Sequence, residues 1–278
     1  MIQLGKFQDL YIVKRKDFGV YVNDQKDVTE GSILLPAKQV PEHAKIGDKI
    51  SCFVYKDSED RPIATVHIPK ITLGAIRPLR VKEVSKIGAF LDWGLEKDLF
   101  LPYKEQTKRV QPGEECLVAL YIDKSSRLCA TMKVYEYLKK DSPYQKDEKV
   151  TGRIYEISEN FGVFVAVDDC YSGLIPAKEA QGKYRVGDIL NLRVTRVQED
   201  GKLDLSDKEK IPQQMEKDAE AVMKVIEEFE GVLPFNDKVS PEIIKREFGL
   251  SKNAFKRAVG RLLKQGRIEI TENRIIKR

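Results

Sequence analysis

Histidine, cysteine and long apolar runs are scarce in this sequence of 278 residues. It contains two histidines, four cysteines and one tryptophan. The cysteines stand alone instead of in Cys-x-x-Cys pairs, and neither histidine lies at a metal-ligand spacing, so the usual patterns of zinc and redox sites are missing. We expect reduced thiols and neither a metal nor a cofactor.

The same scarcity argues against an enzyme. His43 and His67 have no nucleophile motif beside them, so a Ser-His-Asp constellation is not indicated. There is no Walker loop and no dinucleotide fingerprint. Acidic pairs at 59–60 and 168–169 fall in predicted turns, where acidic residues are common. We therefore expect a protein without catalytic residues.

The sequence indicates neither a membrane-spanning segment nor a strongly charged surface. No apolar run approaches the ~20 residues that a spanning helix needs, and residues 1–6 do not read as a secretory signal. We expect a cytoplasmic protein with no membrane partner. The net charge is only +5, too small for a general coat on nucleic acid, so such binding has to come from local patches.

What the sequence does contain is a pattern that occurs three times. Each copy has a glycine set among apolar and aromatic residues, at 18–22, 87–91 and 161–165. A proline follows, and the next glycine lies 11 positions later in every copy (36 to 47, 102 to 113 and 176 to 187). The first copy is longer only before its proline, within the polar stretch 23–31. Constant spacing with a length change in one loop predicts a repeated structural unit.

Each copy reads as five short strands, rich in β-branched and aromatic residues and separated by turn formers. In the first copy the predicted strands are 10–13, 20–22, 33–35, 49–55 and 62–67. In the third copy they are 151–157, 162–167, 173–175, 189–197 and 203–205. Five strands within roughly 60 residues favour a small closed barrel, which leaves no sheet edge exposed.

After residue 206 the apolar period becomes helical. The first predicted helix is marked by Met215, Ala219, Val222, Met223, Ile226 and Phe229. Ser240-Pro241 starts a second helix that ends at Gly249. Ser251 caps a third helix, whose predicted apolar face is Phe255, Val259, Leu262 and Leu263. Segments 267–270 and 274–277 then alternate as a β-hairpin.

Each copy of the repeat resembles the RNA-binding domain named after ribosomal protein S1, a five-stranded oligonucleotide-binding barrel. The third copy is the closest, with Gly152-Arg153-Ile154, Phe161-Gly162-Val163-Phe164-Val165 and Val186-Gly187-Asp188. The second copy departs from it with Ile87 in place of Phe161, and the first with Tyr21 in place of Phe164. All three copies have proline where the family often places a histidine.

Residues 215–278 resemble a winged helix, and the whole chain resembles the conserved virulence factor B family, bacterial RNA-binding regulators with this domain order. The resemblance implies a mainly β multidomain protein: three tandem five-stranded OB-fold (S1-type) barrels followed by an α/β winged-helix domain. The domains are expected at 1–68, 73–134, 148–208 and 212–278. Residues 135–149 are expected to be a polar linker that opens with a helical turn at 135–140, whereas the short connection 68–72 predicts that the first two barrels pack side by side.

Two aromatic pairs, Phe18 with Tyr21 and Phe161 with Phe164, are the first candidates for RNA binding. Residues three apart face opposite sides of an ideal strand, so we expect a bulge at the glycine after the first ring to bring both rings to one face. Rings exposed there would stack on unpaired bases, each contact contributing ~1–3 kcal/mol. The alternative is that one ring of each pair belongs to the barrel core.

In the second copy Phe90 is the candidate ring, but Ile87 stands where its aromatic partner would be, which favours a mainly structural role. Basic residues near the rings supply phosphate contacts, although a solvated surface is the alternative for each of them. The candidates are Lys14 and Lys16 in the first copy, Lys86 in the second, and Arg153 and Lys178 in the third.

The carboxyl-terminal region is the most basic. Between residues 237 and 278, 12 Lys and Arg oppose 5 Asp and Glu, a net charge of +7 (12 − 5). A basic helix face enters a duplex groove or follows a phosphate backbone, or it is an ordinary solvent face. The candidate contacts are Lys252, Lys256, Arg257, Arg261 and Lys264.

These observations favour a non-catalytic protein that binds single-stranded RNA and regulates expression after transcription, with duplex nucleic acid as a further partner of the winged helix. By resemblance, the regulated genes encode virulence or surface factors. The alternative is a DNA-binding transcription regulator led by the winged helix, with the barrels as protein-interaction modules. A third reading is a scaffold whose barrels bind no nucleic acid.

Overall fold

A computed structural model describes residues 1–208 and 211–278, with side chains from residue 215 in the second range. The chain divides into two compact units, Met1–Asp207 and Lys208–Arg278. The described residues of the first unit form three closed five-stranded barrels, and those of the second form a small sheet with helices. The mainly β multidomain fold is thus confirmed. None of the described helices is both long and apolar enough to cross a membrane.

The three barrels share one topology. The first contains β1 (Phe7–Lys16), β2 (Gly19–Asn23), β3 (Ile33–Pro36), β4 (Lys49–Lys56) and β5 (Pro62–Thr65). The second contains β6 (Ile76–Val84), β7 (Gly88–Asp92), β8 (Leu99–Pro102), β9 (Glu115–Ile122) and β10 (Leu128–Thr131). The third contains β11 (Lys149–Ser158), β12 (Gly162–Val167), β13 (Tyr171–Pro176), β14 (Ile189–Val197) and β15 (Leu203–Ser206). In each barrel the first strand pairs with the second and fourth, and the third strand pairs in parallel with the fifth.

Strand β4 is buried on both faces over residues 52–55, where it joins the first barrel to the second. Cys52 and Val54 lie in the core of the first barrel, whereas Phe53 and Tyr55 pack into the core of the second. The ring centroids of Phe53 and Tyr55 lie 5.9 and 6.1 Å from that of Trp93. The predicted side-by-side packing of these barrels is confirmed.

Strand β9 makes the equivalent junction between the second and third barrels. Leu117 and Ala119 on its outer face share a cluster with Tyr155 and Ala166 of the third barrel. Strand β14, the corresponding strand of the third barrel, alternates apolar with polar residues such as Arg193. Its outer face is therefore suited to solvent and not to a further barrel.

The expected polar linker at 135–149 is in fact packed at its beginning. Tyr135–Tyr137 forms a 3₁₀ turn, and Val134 and Leu138 on either side of it are buried between the second and third barrels. The N–H of Lys139 then donates to the carbonyl oxygen of Cys170 at 2.9 Å. The predicted helical turn is present, but the segment is not a linker here, because two apolar residues one helical turn apart bury it.

The second unit has the elements of a winged helix. These are α1 (Ile211–Glu228), β16 (Val232–Leu233), α2 (Pro241–Phe248), α3 (Lys252–Lys264), β17 (Ile268–Ile270) and β18 (Ile275–Lys277), with the sheet order β16-β18-β17. Ser251 caps α3 as expected, since its hydroxyl oxygen accepts the N–H of Ala254 at 3.3 Å. Gly249 ends α2 in the left-handed region. Ser240 precedes α2 but makes no side-chain capping bond.

The core of this unit departs from the predicted apolar faces at two positions. Leu263 is 47% exposed and Phe229 is 40% exposed, whereas Ala258 is buried. Leu263 follows Leu262 directly, and consecutive residues point about 100° apart on a helix, so only one of the two faces the core. The assignment of Leu263 to the apolar face is therefore wrong.

Candidate nucleic-acid interface

Phe161 and Phe164 lie together on the outside of the third barrel. Their ring centroids are 6.4 Å apart. The Phe161 side chain is 65% exposed and that of Phe164 is half-buried. Neither ring is sealed in the barrel core, so both offer an aromatic face beside solvent.

A tight turn at Gly162, and not a bulge there, brings these rings together. Gly162 has a φ of +118°, and a Cβ at this position would lie 2.1 Å from the carbonyl oxygen of Ile175. Only glycine allows so close an approach of β12 to β13. The register irregularity lies on the neighbouring strand, between Ile154 and Glu156. The position predicted for the bulge is therefore wrong, although the two rings do meet.

Two tyrosines pack against Phe164, the half-buried Tyr135 at the surface and the buried Tyr155 beneath it. The ring centroids of Tyr135 and Tyr155 each lie 6.1 Å from that of Phe164. The Lys202 ammonium lies 5.6 Å from the Tyr135 ring centroid, and the hydrogen bonds that it donates to Asp200 and Tyr135 raise the pKa of Lys202. Sequence reasoning missed Tyr135 because it falls in the segment taken as a linker.

The first barrel carries a similar pair. Phe18 is 57% exposed, and its ring centroid lies 6.3 Å from that of Tyr21. The Lys14 ammonium lies 5.9 Å from the Tyr21 ring centroid, a cation–π arrangement. Gly19 repeats the turn of the third barrel, since its Cβ would lie 2.2 Å from the carbonyl oxygen of Leu35.

The second barrel builds its ring pair differently. Phe90 faces Phe100 across the β7–β8 pairing, with ring centroids 5.3 Å apart, while Ile87 is 65% exposed. Position 87 indeed supplies no aromatic partner, but Phe100 supplies one from the neighbouring strand. Phe100 stands where the other copies have Leu34 and Leu174, so comparing the copies on the third strand could have found it.

Tyr21, Phe90 and Phe164 occupy equivalent positions, but the residue that pairs with each of them on the neighbouring strand differs among the barrels. The pairs are Lys14 with Tyr21, Glu83 with Phe90, and Glu156 with Phe164. Glu83 and Glu156 are exposed and make no hydrogen bond or ion pair with any other described residue. The first barrel therefore places a cation beside its ring, and the other two place a hydrogen-bond acceptor there.

Arg153 is engaged elsewhere and does not lie free beside the rings. Its guanidinium donates to both carboxylate oxygens of Asp169, at 2.9 and 3.2 Å, and lies 3.3 Å from the carboxylate of Glu115 in the second barrel. Arg153 is 9% exposed. This geometry bridges the second and third barrels and leaves the guanidinium no open side for a phosphate.

The remaining predicted cations of the barrels are exposed. They are Lys14, Lys16, Lys86 and Lys178. On α3, Lys256, Arg257 and Lys264 are exposed and form no ion pair with the residues that the structure describes, and Lys252 is half-buried. Arg261 instead pairs with Glu216 of α1. The helix therefore presents fewer uncommitted cations than its sequence indicates.

Comparison with known families assigns every domain a type. A family model described as "S1 domain" matches residues 4–67 and 73–133. One described as "Virulence regulatory factor CvfB, second domain" matches 134–209, and one described as "CvfB-like winged helix domain" matches 220–276. S1 and winged-helix domains are nucleic-acid-binding types and not enzyme families.

Several known proteins match this chain over most of its length and over most of their own. "Uncharacterized protein YitL" of Bacillus subtilis (strain 168) is 30% identical over 275 residues, covering 95% of this chain and 90% of that protein. "Conserved virulence factor B" of Staphylococcus aureus (strain bovine RF122 / ET3-1) is 28% identical over 240 residues, covering 83% and 80%. The crystal structure of a multidomain protein with nucleic acid binding domains from Streptococcus pneumoniae TIGR4 is 26% identical, covers 99% of this chain and 98% of that chain, and superposes with a TM-score of 0.52. With its S1 repeats, its CvfB second domain and its winged helix in this order, the chain belongs to the CvfB (conserved virulence factor B) family.

Proposed function

We propose that the protein binds single-stranded RNA on its ring faces and regulates gene expression after transcription. The ring face of each barrel is the surface that carries its aromatic pair, Phe18 with Tyr21, Phe90 with Phe100, or Phe161 with Phe164. The observation that carries the proposal is the pair Phe161 and Phe164, two neighbouring rings with one of them 65% exposed. A large apolar side chain held at the surface by a glycine turn does not contribute to the core. It is suited to a flat ligand that covers it.

Unpaired bases are such ligands. Base–aromatic stacking contributes ~1–3 kcal/mol per base and tolerates every sequence. Lys178 of the third barrel and Lys14 and Lys16 of the first supply positive charge for phosphates. The α3 cations add a second contact, which raises avidity when both sites reach one strand.

The regulatory part of the proposal is supported by a relative. The Staphylococcus aureus protein is named conserved virulence factor B, and the Streptococcus pneumoniae structure is described as having nucleic acid binding domains. A cytoplasmic location follows from an RNA ligand. No catalytic step is included in the proposal.

The test is fluorescence anisotropy with the full chain at one fixed salt concentration. A labelled single-stranded RNA is compared with duplex DNA of the same sequence, and Phe161→Ala with the wild type. We expect tighter binding of the RNA and roughly a 5- to 150-fold loss for Phe161→Ala, the equivalent of one lost stacking contact.

Ile189→Ala provides the matched control. Ile189 is an apolar residue of the same barrel and is 57% exposed. It lies on β14, which pairs with the opposite edge of β11 from β12, the strand that carries Phe164. It should leave the RNA affinity unchanged. Preference for duplex DNA together with full affinity of Phe161→Ala would reject the RNA proposal.

The second candidate function is binding of duplex DNA by the winged helix, favoured by the exposed cations of α3. The double change Lys256→Ala and Arg257→Ala should then weaken binding to duplexes of every sequence. It should also lower the slope of log affinity against log salt concentration by about 2, about 1 for each phosphate contact. Lys224→Ala, an exposed lysine of α1, is the control. If the duplex binds more tightly than single-stranded RNA and only the α3 variant loses affinity, this candidate replaces the first.

A further inference from the structure

A cavity of about 480 Å³ lies between the ring face of the second barrel and the β4–β5 hairpin of the first. Phe90, Phe100, Trp93 and Tyr55 form its aromatic wall. The planes of Phe90 and Phe100 are inclined by 38°. The volume lies within the range of ~300–1,000 Å³ that is usual for small-ligand sites.

Contacts between the two barrels hold this cavity in shape. The Lys97 ammonium donates to the carbonyl oxygen of Asp57 at 2.7 Å and lies 3.5 Å from the carboxylate of Asp60. Asp60 also pairs with Arg127, and the indole N–H of Trp93 donates to the carbonyl oxygen of Lys97 at 2.6 Å. Asp60 thus compensates Lys97 and Arg127, and Lys56, a third cation of the lining, leaves one positive charge beside the aromatic wall.

Besides Asp60, two further carboxylates line the cavity, Glu83 and Asp98. One oxygen of Asp98 accepts a hydrogen bond from Lys82 at 2.7 Å. Glu83 lies across the strand from Phe90 and has no hydrogen-bond or ion-pair partner among the described residues. An ionised carboxylate only accepts hydrogen bonds. The cavity therefore combines a wall for a flat ring with an acceptor for N–H groups on that ring's edge.

Among the nucleobases, guanine fits this combination best. Its Watson–Crick edge carries two adjacent donors, N1–H and N2–H₂, which can both bond to one carboxylate. Uracil has a single N–H between two carbonyl oxygens, and these repel a carboxylate. Adenine and cytosine each place a ring acceptor beside the exocyclic amine. We propose that the cavity takes one guanine base of a single-stranded RNA, stacked on Phe90 and Phe100 and selected by Glu83.

The other barrels lack this arrangement. The position of Phe100 is Leu34 in the first barrel and Leu174 in the third. The position of Glu83 is Lys14 in the first barrel. Guanine selection is thus assigned to the second barrel, while the ring pairs of the other two stack on any base. The inference deepens the proposed function and rests on it.

Trp93 makes occupancy of the cavity measurable, because it is the single tryptophan of the chain and lines the wall. Titration with GMP, AMP, CMP and UMP, with tryptophan emission recorded, reports on the cavity directly. We expect quenching by GMP at a concentration about tenfold or more below that needed for the other three, the usual discrimination of hydrogen bonds to a charged acceptor. Equal quenching by all four, or none by GMP, overturns the inference.

Two variants test the assigned residues. Glu83→Gln replaces one acceptor oxygen with an amide donor and should abolish the preference for GMP while leaving Trp93 emission of the unbound protein unchanged. Phe100→Leu installs the residue of the other two copies and should weaken binding of all four nucleotides. Glu156→Gln, the equivalent change in the third barrel, is the matched control and should leave the GMP titration unaltered.

Labelled oligouridine strands with and without one central guanine test whether the cavity takes a base within an RNA strand or only a free nucleotide. The guanine-containing strand should bind about tenfold more tightly by anisotropy and also quench Trp93. If both strands bind equally and Trp93 stays silent, the guanine site is rejected and the proposed function stands. If GMP quenches Trp93 but neither strand binds, the assignment to RNA fails together with the proposed function.

Discussion

The Phe53 ring of the first barrel stands nearly perpendicular to the Trp93 indole of the second, at 78° and with centroids 5.9 Å apart. Phe53 is completely buried, although it lies on the outer face of its own barrel. An aromatic ring that fills the neighbouring core couples the stability of the two barrels.

Phe53→Ala should therefore destabilise both barrels at once. Removing a buried phenylalanine costs about 3–5 kcal/mol. Urea unfolding followed by Trp93 emission measures the second barrel, where no residue has been changed. Phe18→Ala, at an exposed phenylalanine of the first barrel, should cost under about 1 kcal/mol. An unchanged midpoint for Phe53→Ala would show that the barrels unfold independently.

Gly162→Ala should disrupt the ring pair of the third barrel. The φ of +118° and a Cβ only 2.1 Å from the carbonyl oxygen of Ile175 leave no room for a side chain. We expect a loss of roughly 2–4 kcal/mol, measured by thermal unfolding with circular dichroism. Gly260→Ala in α3 is the opposite case, because no atom lies within 4 Å of its added Cβ. It should stabilise the second unit by about 0.5–1 kcal/mol.

Arg153 should matter for stability and not for RNA affinity. Arg153→Met leaves the carboxylate of Asp169 without its bidentate partner and should cost roughly 1–3 kcal/mol. RNA affinity, measured at a temperature where the variant is folded, should stay that of the wild type. Lys178→Ala should show the reverse, weaker RNA binding with unchanged stability. A loss of RNA affinity in folded Arg153→Met would restore Arg153 as a direct contact.

Thiol chemistry should separate Cys170 from the other three cysteines. Burial raises the pKa of Cys116 to about 12 and those of Cys52 and Cys129 to about 11, so their thiolate forms are rare at pH 8. Iodoacetamide at pH 8 should label half-buried Cys170 first, as read by mass spectrometry of the peptides.

The same pKa values predict the direction of alkaline unfolding. The unfolded thiols ionise near 9.0, the ordinary value, whereas the folded ones hold their protons to about 11 or 12. Their contribution to stability is thus full below pH 9 and is lost as the pH rises toward those values. Above pH 9 the urea midpoint, expressed relative to each protein's own midpoint at pH 7, should fall less for Cys116→Ser than for the wild type.

Much of the fold could be predicted because it repeats. The proline-to-glycine spacing and the strand pattern fixed three barrels, and helical periodicity fixed α1 to α3. A further signal was present: β4 and β9 are almost continuously apolar, whereas β14 alternates. A strand buried on both faces has this composition, so the barrel junctions could have been inferred from it.

The site was less predictable because it depends on partners distant in sequence. Tyr135 reaches Phe164 only through the packed segment between two barrels, and Phe100 meets Phe90 across a pair of strands. Whether Arg153 is available depends on Asp169 and Glu115. Spacing along the chain identifies a ring or a cation, but only tertiary contacts decide what each one can touch.

The parallel pairing of the third and fifth strands closes every barrel, and this matters for a chain made of tandem copies. Similar neighbouring sequences invite strand exchange during synthesis, because one copy can offer its edge to the next. In the closed barrels each strand has both neighbours from its own copy. A completed barrel therefore presents no template to the copy that emerges after it, and resistance to misassembly is built into the topology.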